Sequence, residues 1–270
     1  MKVTVLIDNL GSNDIQGEWG LSFFIEYGGR KYLLDTGGSA LFIVNAKALG
    51  IDIADVDCAV LSHAHNDHSS GMEAFFAANS KAPFYLSPFC GENCYSGRLF
   101  SRHYIGLPKG ILTRFPDRIE MRCGKVSLAE GVWIVPHATA ADSSVAAKSR
   151  LFIRKGLRFV PDDFRHEQSL VFETPDGLVI FNSCSHAGAD VIIKEVCESL
   201  PGYSVRAYIG GLHLFRLDEE DVRKTAGILT SFGIPEIYTG HCTGERAFSI
   251  LREYLGDTLR QMHSGLTFTF

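Results

Sequence analysis

No run of apolar residues in this chain approaches the roughly 18–20 that a membrane-spanning helix needs, so no membrane partner is expected. The opening "MKVTVLIDNL" has neither a long apolar core nor a small-residue cleavage site, and does not read as an export signal. No Pro/Gly/Ser-rich linker, low-complexity tract or internal repeat interrupts the 270 residues, which argues against solenoids and strings of modules. Excess positive charge is also missing. Lys and Arg number 26 against 31 Asp and Glu, a net charge of −5, so no overall field draws in nucleic acid or anionic lipid. The seven cysteines are odd in number and irregular in spacing. Cys90 and Cys94 sit as close as a metal pair but no second pair follows, and they read as structural. Reduced thiols in a cytoplasmic protein are the expectation.

What is present is an ordinary core-forming composition, 46% hydrophobic and 21% charged, on a length that one domain spanning 1–270 can hold. The first third reads as short strands and tight turns: "KVTVLID", "LSFFIEYG" and "KYLLDTG". "SALFIVNAKALGI" then has helical spacing, with Ser39 as a cap and Gly50 as a stop. The second half alternates. "SLVFETPDGLVIFNSC" reads as a hairpin, and strands "VRAYIGGLHL" and "EIYTGHC" are separated by the helix "DEEDVRKTAGILTSFG". Strands first and β-α alternation later predict two sheets faced by helices, an α/β fold of the αββα sandwich type. Residues 87–150 read as an irregular, lid-like insertion. Between Arg98 and Lys125 they hold seven basic residues (Arg98, Arg102, Lys109, Arg114, Arg118, Arg122, Lys125) against Asp117 and Glu120.

The chemistry concentrates in "LSHAHNDHSSGM", residues 61–72. Three of the ten histidines and a carboxylate, His63, His65, Asp67 and His68, fall within six positions after the buried strand "DCAVLSH". In extended backbone His63, His65 and Asp67 project to one side, while His68 breaks phase and reaches a second point. Imidazole nitrogen and carboxylate oxygen form a ligand set suited to zinc, iron or manganese. One ion needs about three protein ligands and an open position, so this turn plus distant histidines can begin a site for one or two divalent ions, zinc first.

The pattern His63-x-His65-x-Asp67-His68, preceded by "LLDTG" with Asp35, resembles the metallo-β-lactamase superfamily. That resemblance implies an αββα sandwich with its site at the sheet edge, His63 and His65 on one metal, Asp67 and His68 on the other. More narrowly, "GEWGLSFFIE", "CSHAG", "GGLHL" and "HCTG" together resemble the dihydropterin-ribofuranosylaminobenzene-phosphate synthase-like family, many of whose members are labelled metal-dependent hydrolases. His241 and His186 each follow a strand and precede a helix, and are the expected distant ligands. Where the superfamily usually places a bridging aspartate, this chain has Cys184, a candidate ligand of lower rank. His166, just before a strand, rivals His186 for the first metal. Asp35 is expected to orient a ligand histidine, and Asp67 and His213 are the candidate catalytic groups, His213 lining the site.

These readings imply a metal-dependent hydrolase that activates a water molecule against a small anionic substrate bearing phosphate or carboxylate. Arg102 and Lys109 in the basic stretch would hold the anion. A synthase-type transfer, displacing diphosphate from a dihydropterin, is the alternative. An iron-bound redox or binding module is a further one. Redox members of the superfamily usually carry a fused flavin domain and a carboxylate in place of the second histidine, whereas this chain has His65.

Overall fold

Alternation along the strands sorts the apolar residues into three layers. In the strand Arg30–Leu34, Tyr32 and Leu34 face one core while Leu33 faces another. In Gly177–Phe181, Val179 and Phe181 share the first of these with Tyr32, whereas Leu178 and Ile180 turn the opposite way. A central core therefore lies between two sheets, and each outer sheet face is closed by helices. The computed structural model describes residues 1–12, 14–98, 101–137 and 150–270.

The first sheet runs Thr267–Thr269, Lys2–Ile7, Ser22–Tyr27, Arg30–Leu34, Cys58–Val60, Phe84–Leu86, Ile119–Met121. The second runs Leu259–Gln261, Glu236–Thr239, Val205–Ile209, Gly177–Phe181, Gln168–Thr174, Val132–Pro136, Val126–Ala129. Helices Leu41–Ala48 and Met72–Ala78 cover the first through Phe42, Ala46, Phe75 and Phe76. Helices Ala189–Ser199, Glu219–Ser231 and Glu245–Leu255 cover the second through Ile192, Val196, Leu229 and Leu251. The predicted αββα sandwich is the observed architecture. The helix Leu41–Ala48 is capped by Ala40 rather than the expected Ser39, whose Oγ nevertheless accepts the Leu41 N–H at 3.0 Å, and the stop expected at Gly50, at φ +73°, follows the C-cap Leu49.

Residues 87–150 depart from the expected irregular backbone. They carry the strands Cys94–Arg98, Ser101–Tyr104, Ile119–Met121, Val126–Ala129 and Val132–Pro136. The first two join Leu151–Lys155 and Arg158–Pro161 in a separate four-stranded sheet. Strands of three to five residues, polar and broken by glycine, are too short to establish a readable period of two. The part of the expected lid at 138–149 lies outside the described residues.

Within each half, the sheet changes from antiparallel to parallel. Arg30–Leu34, Cys58–Val60 and Phe84–Leu86 run parallel, as do Gly177–Phe181, Val205–Ile209 and Glu236–Thr239. Parallel strands bring their carboxyl ends to one edge, where open α/β sheets collect their functional loops. Asp35, His63, Cys184, His213 and His241 all follow the ends of these strands. No helix among the described residues is long and apolar enough to cross a membrane.

Candidate metal centre

The strand ends at Val60, the chain bends through Ser62, His63 and Ala64, and His65 precedes the single helical turn Asn66–Ser69. His63 thus comes off bent backbone and Asp67 off the helical turn rather than the extended segment that the spacing suggested, while His68 lies on that turn, as its break of phase implied. Gly20 makes room for this turn. It sits at φ +155°, and a β-carbon there would lie 2.5 Å from the Asp67 carbonyl oxygen.

Hydrogen bonds fix the protonation of three imidazoles. Asp35 is fully buried at φ +61°, and its carboxylate accepts the Ser62 N–H at 2.7 Å and the Ser62 hydroxyl at 2.6 Å. With its proton committed to Asp35, Ser62 Oγ can only accept at 2.8 Å from His63 Nδ1–H, so His63 Nε2 carries a lone pair. Asp35 Oδ2 likewise accepts His68 Nδ1–H at 2.8 Å, leaving a lone pair on His68 Nε2. Asn9 Oδ1, which accepts the Gly20 N–H, also accepts His241 Nδ1–H at 3.0 Å. His241 Nε2 is therefore the third lone pair. These tautomers follow from the network of partners.

The lone pairs converge. His68 Nε2 and His241 Nε2 are 3.2 Å apart, and the Asp67 carboxylate lies 3.9 Å from the first and 3.5 Å from the second. Two lone pairs and an anion pointing at one buried spot repel each other unless a cation sits among them. Burial would push the His68 pKa down, but the Asp67 and Asp35 carboxylates outweigh it and the net shift is upward. The same field favours any positive charge at that point. The ligand atoms of His63, His65 and His186 lie within 4.8 Å of one another and form a second cluster. Both nitrogens of His186, together with His63 Nε2 and His65 Nε2, are buried without a hydrogen-bond partner among the described residues. Burial, reinforced by neighbouring imidazoles, pushes the pKa of His63 and His186 well below the usual histidine value, which keeps both neutral and able to bind a metal. The residues present fit divalent ions.

Cys184 stands between the clusters, with Sγ 3.2 Å from His68 Nε2, and its ligand atom groups with those of His63 and His68. Cys242 Sγ is 3.4 Å from Cys184 Sγ. His213 lines the mouth of the site with its ring 4.3 Å from that of His186, and its Nδ1 is buried without a hydrogen-bond partner among the described residues. Ser185, His213 and His241 hold φ values of +54°, +51° and +45° without being glycine, strain that packing around a site sustains.

His166 does not join the first cluster. Its Nδ1 accepts the Ala64 N–H at 3.2 Å, so the proton is on Nε2, which donates to Asp162 at 3.1 Å. Its ligand atom groups instead with those of His65, Cys94 and Asp162, whereas that of His186 groups with His63 and His65. Arg102 and Lys109 are also elsewhere. Along Ser101–Tyr104 alternate residues face opposite ways. Arg102 stacks 4.6 Å from the rings of both Phe152 and Phe159, and Lys109 lies over Tyr104 at 3.7 Å while donating to the Glu92 carbonyl.

Several supporting residues escape a reading of the sequence. Trp19 Nε1–H donates to Asp67 Oδ2 at 2.9 Å. Asp8 Oδ2 accepts the His241 N–H at 3.0 Å, and burial raises that carboxyl to about 7. Glu167, also raised by burial, accepts the N–H groups of His186 and Ala187 at 2.9 Å each. Asp8 ends its strand as Asp35 does, a signal that was available. Glu167 has no such mark.

A sandwich with parallel strand ends gathering His, Asp and Cys at one edge defines the class. Residues 20–196 match the Metallo-beta-lactamase superfamily, and the chain belongs to it. Over 99% of its length it is 27% identical to 95% of the 7,8-dihydropterin-6-methyl-4-(beta-D-ribofuranosyl)-aminobenzene-5'-phosphate synthase of Methanocaldococcus jannaschii. The crystal structure of Tm1679, a metal-dependent hydrolase of the beta-lactamase superfamily, superposes with a TM-score of 0.86 at 25% identity, covering 100% of this chain and 99% of that one. Zn(2+)-bound PqqB from Methylobacterium extorquens shares the fold, with a TM-score of 0.57 at 12% identity over 100% of both chains.

Proposed function

We propose that this chain is a metal-dependent hydrolase that cleaves a small anionic substrate, with one ion held by His63, His65 and His186 and a second by Asp67, His68 and His241. The observation that carries this reading is the approach of His68 Nε2 and His241 Nε2 to 3.2 Å facing the Asp67 carboxylate, with the Nδ1 atoms of both rings held by other acceptors. Zinc bound there would lower the pKa of water toward neutrality and stabilise negative charge growing on the attacked phosphoryl or acyl group. The protein's own part is to hold the imidazoles: Asp35 and Asn9 aim two of them, and Glu167 fixes the His186 backbone. His213, at the mouth and without a hydrogen-bond partner at Nδ1 among the described residues, would give a proton to a leaving group. Cys184, at the usual aspartate position, would offer a sulfur ligand between the two ions, against burial and the Cys242 hydrogen bond that push its pKa up.

A second reading, a synthase-type transfer of a dihydropterin with loss of diphosphate, draws on the relative of that name matched over nearly the full chain. The two are separated by incubating zinc-loaded protein with the dihydropterin diphosphate, with and without the ribofuranosylaminobenzene phosphate. Diphosphate release that needs the second substrate supports transfer. Cleavage of phosphoesters or lactones with oxygen-18 incorporated from water supports hydrolysis. Elemental analysis of His63→Ala/His65→Ala tests the site, and full metal content in that variant would remove it.

A further inference from the structure

Residues 162–167 join the strands Arg158–Pro161 and Gln168–Thr174, and so tie the separate four-stranded sheet to the second sheet of the sandwich. Asp162, Phe164, His166 and Glu167 are buried, and each reaches a part of the His63-side cluster. His166 Nδ1 accepts the N–H of Ala64, between His63 and His65, at 3.2 Å. Asp162 Oδ2 accepts from His166 Nε2 at 3.1 Å and lies 3.9 Å from His65 Nε2. Glu167 accepts the His186 N–H, and the Phe164 ring stacks on the His186 ring, 4.6 Å between centroids with the planes 10° apart. A metal-binding imidazole is ordinarily aimed by a hydrogen bond to its far nitrogen. His63, His68 and His241 have such partners, whereas neither nitrogen of His186 has one among the described residues. The plane of that ring is therefore set by the rings packed on it, Phe164 nearly parallel and His213 tilted by 51°. Phe164 itself holds φ +52°, a conformation that a bulky residue keeps only where its surroundings enforce it. Asp162 Oδ1 accepts the Phe164 N–H at 2.9 Å, and the Phe164 carbonyl accepts the Glu167 N–H at 2.8 Å, so both sides of the strained residue are held.

We propose that Phe164 is a positioning residue for His186, setting its ring plane by stacking, and that residues 162–167 act as one strap that holds His63, His65 and His186 together without lending them a ligand. This rests on the reading of those three imidazoles as the ligands of one ion. His166, whose place before a strand made it a rival ligand, instead holds the backbone between two of them.

The test compares the wild type with Phe164→Leu, which keeps apolar bulk but removes the flat face, and Phe164→Tyr, which keeps the face. Zinc uptake is followed by competition with a chromophoric chelator. The two ions are told apart by repeating each titration in His68→Ala/His241→Ala, which retains the His63-side ligands, and in His63→Ala/His65→Ala, which retains the others. Phe164→Leu should weaken the His63-side ion about tenfold or more, as loss of a residue that orients a ligand does. Phe164→Tyr should stay within about threefold of the wild type there, and neither variant should move the Asp67-side ion by more than that. A second readout needs no metal. In zinc-free protein the ring protons of His186 should carry the upfield shift of protons held over an aromatic face, kept in Phe164→Tyr and lost in Phe164→Leu. Unchanged affinity in Phe164→Leu, a tyrosine variant as weak as the leucine one, equal weakening of both ions, or His186 ring shifts indifferent to Phe164 would each overturn the proposal. No zinc uptake by the His63-side ligands of the wild type, with the ring shift still dependent on Phe164, would refute the metal reading alone and leave the positioning role standing.

Discussion

Replacing Asp35 by Asn isolates one physical effect. The residue is fully buried and at φ +61°, a conformation that asparagine tolerates, so the backbone need not move. Asn keeps one oxygen for the Ser62 N–H, now at 2.7 Å, but puts an NH2 where Oδ2 accepts from Ser62 Oγ and from His68 Nδ1. Facing a donor, His68 takes the other tautomer, with its lone pair on Nδ1 and its proton on Nε2. That proton then occupies the spot 3.2 Å from His241 Nε2 where a cation would bind. Losing two hydrogen bonds to a buried charge costs about 1.5–3 kcal/mol each at most, and part of that returns through the amide. Substituting a residue that orients a metal ligand typically weakens metal affinity by about 10–100-fold. Asp35→Asn should bind its Asp67-side ion at least about tenfold more weakly, as read by competition with a chromophoric chelator, and the His63-side ion should weaken too, because the Ser62 hydroxyl loses the acceptor that leaves it only to accept from His63 Nδ1. Equal affinity for both ions in variant and wild type would refute the tautomer argument.

Two further perturbations test the frame. Phe181 is fully buried between the sheets, 5.5 Å from Phe23 and 5.7 Å from Phe172 between ring centroids. Phe181→Ala should cost about 3–5 kcal/mol in urea denaturation, and a loss below about 1 kcal/mol would mean that the inter-sheet core is not packed as described. At the far edge, burial would raise the Glu236 pKa, but hydrogen bonds from Arg206 and Tyr238 outweigh it and hold the carboxyl below its ordinary 4.5. A depressed carboxyl adds stability above the unfolded value that fades as pH falls through the folded one. Glu236→Gln should thus lose roughly 1 kcal/mol at neutral pH, discounted for partial exposure, and little below pH 4.5. A variant whose deficit grows on acidification would reverse the sign.

The sequence was most legible where chemistry and chain position coincide. His63, His65, Asp67 and His68 announce themselves because four ligand-type residues crowd one strand end, and His186 and His241 because each sits between a strand and a helix. Asp35 reads the same way. Less was legible where contacts join distant segments. Ala64 and His166 meet through one hydrogen bond across 102 positions, and that bond decides which nitrogen keeps its proton. The basic stretch misled for a different reason. Its charge count was sound, but strand alternation sends Arg102 to the aromatic face and Arg98 to the open one, and strands of four or five residues hide that alternation.

The central claim is that cations sit among imidazoles left with unshared lone pairs. Anomalous diffraction at the zinc edge from crystals of protein purified without chelator tests it directly. One peak should be bonded at about 2.0–2.1 Å to His63, His65 and His186, and another to Asp67, His68 and His241. A single peak among His65, Cys94, Asp162 and His166, whose ligand atoms also lie within 4.8 Å of one another, would contradict it.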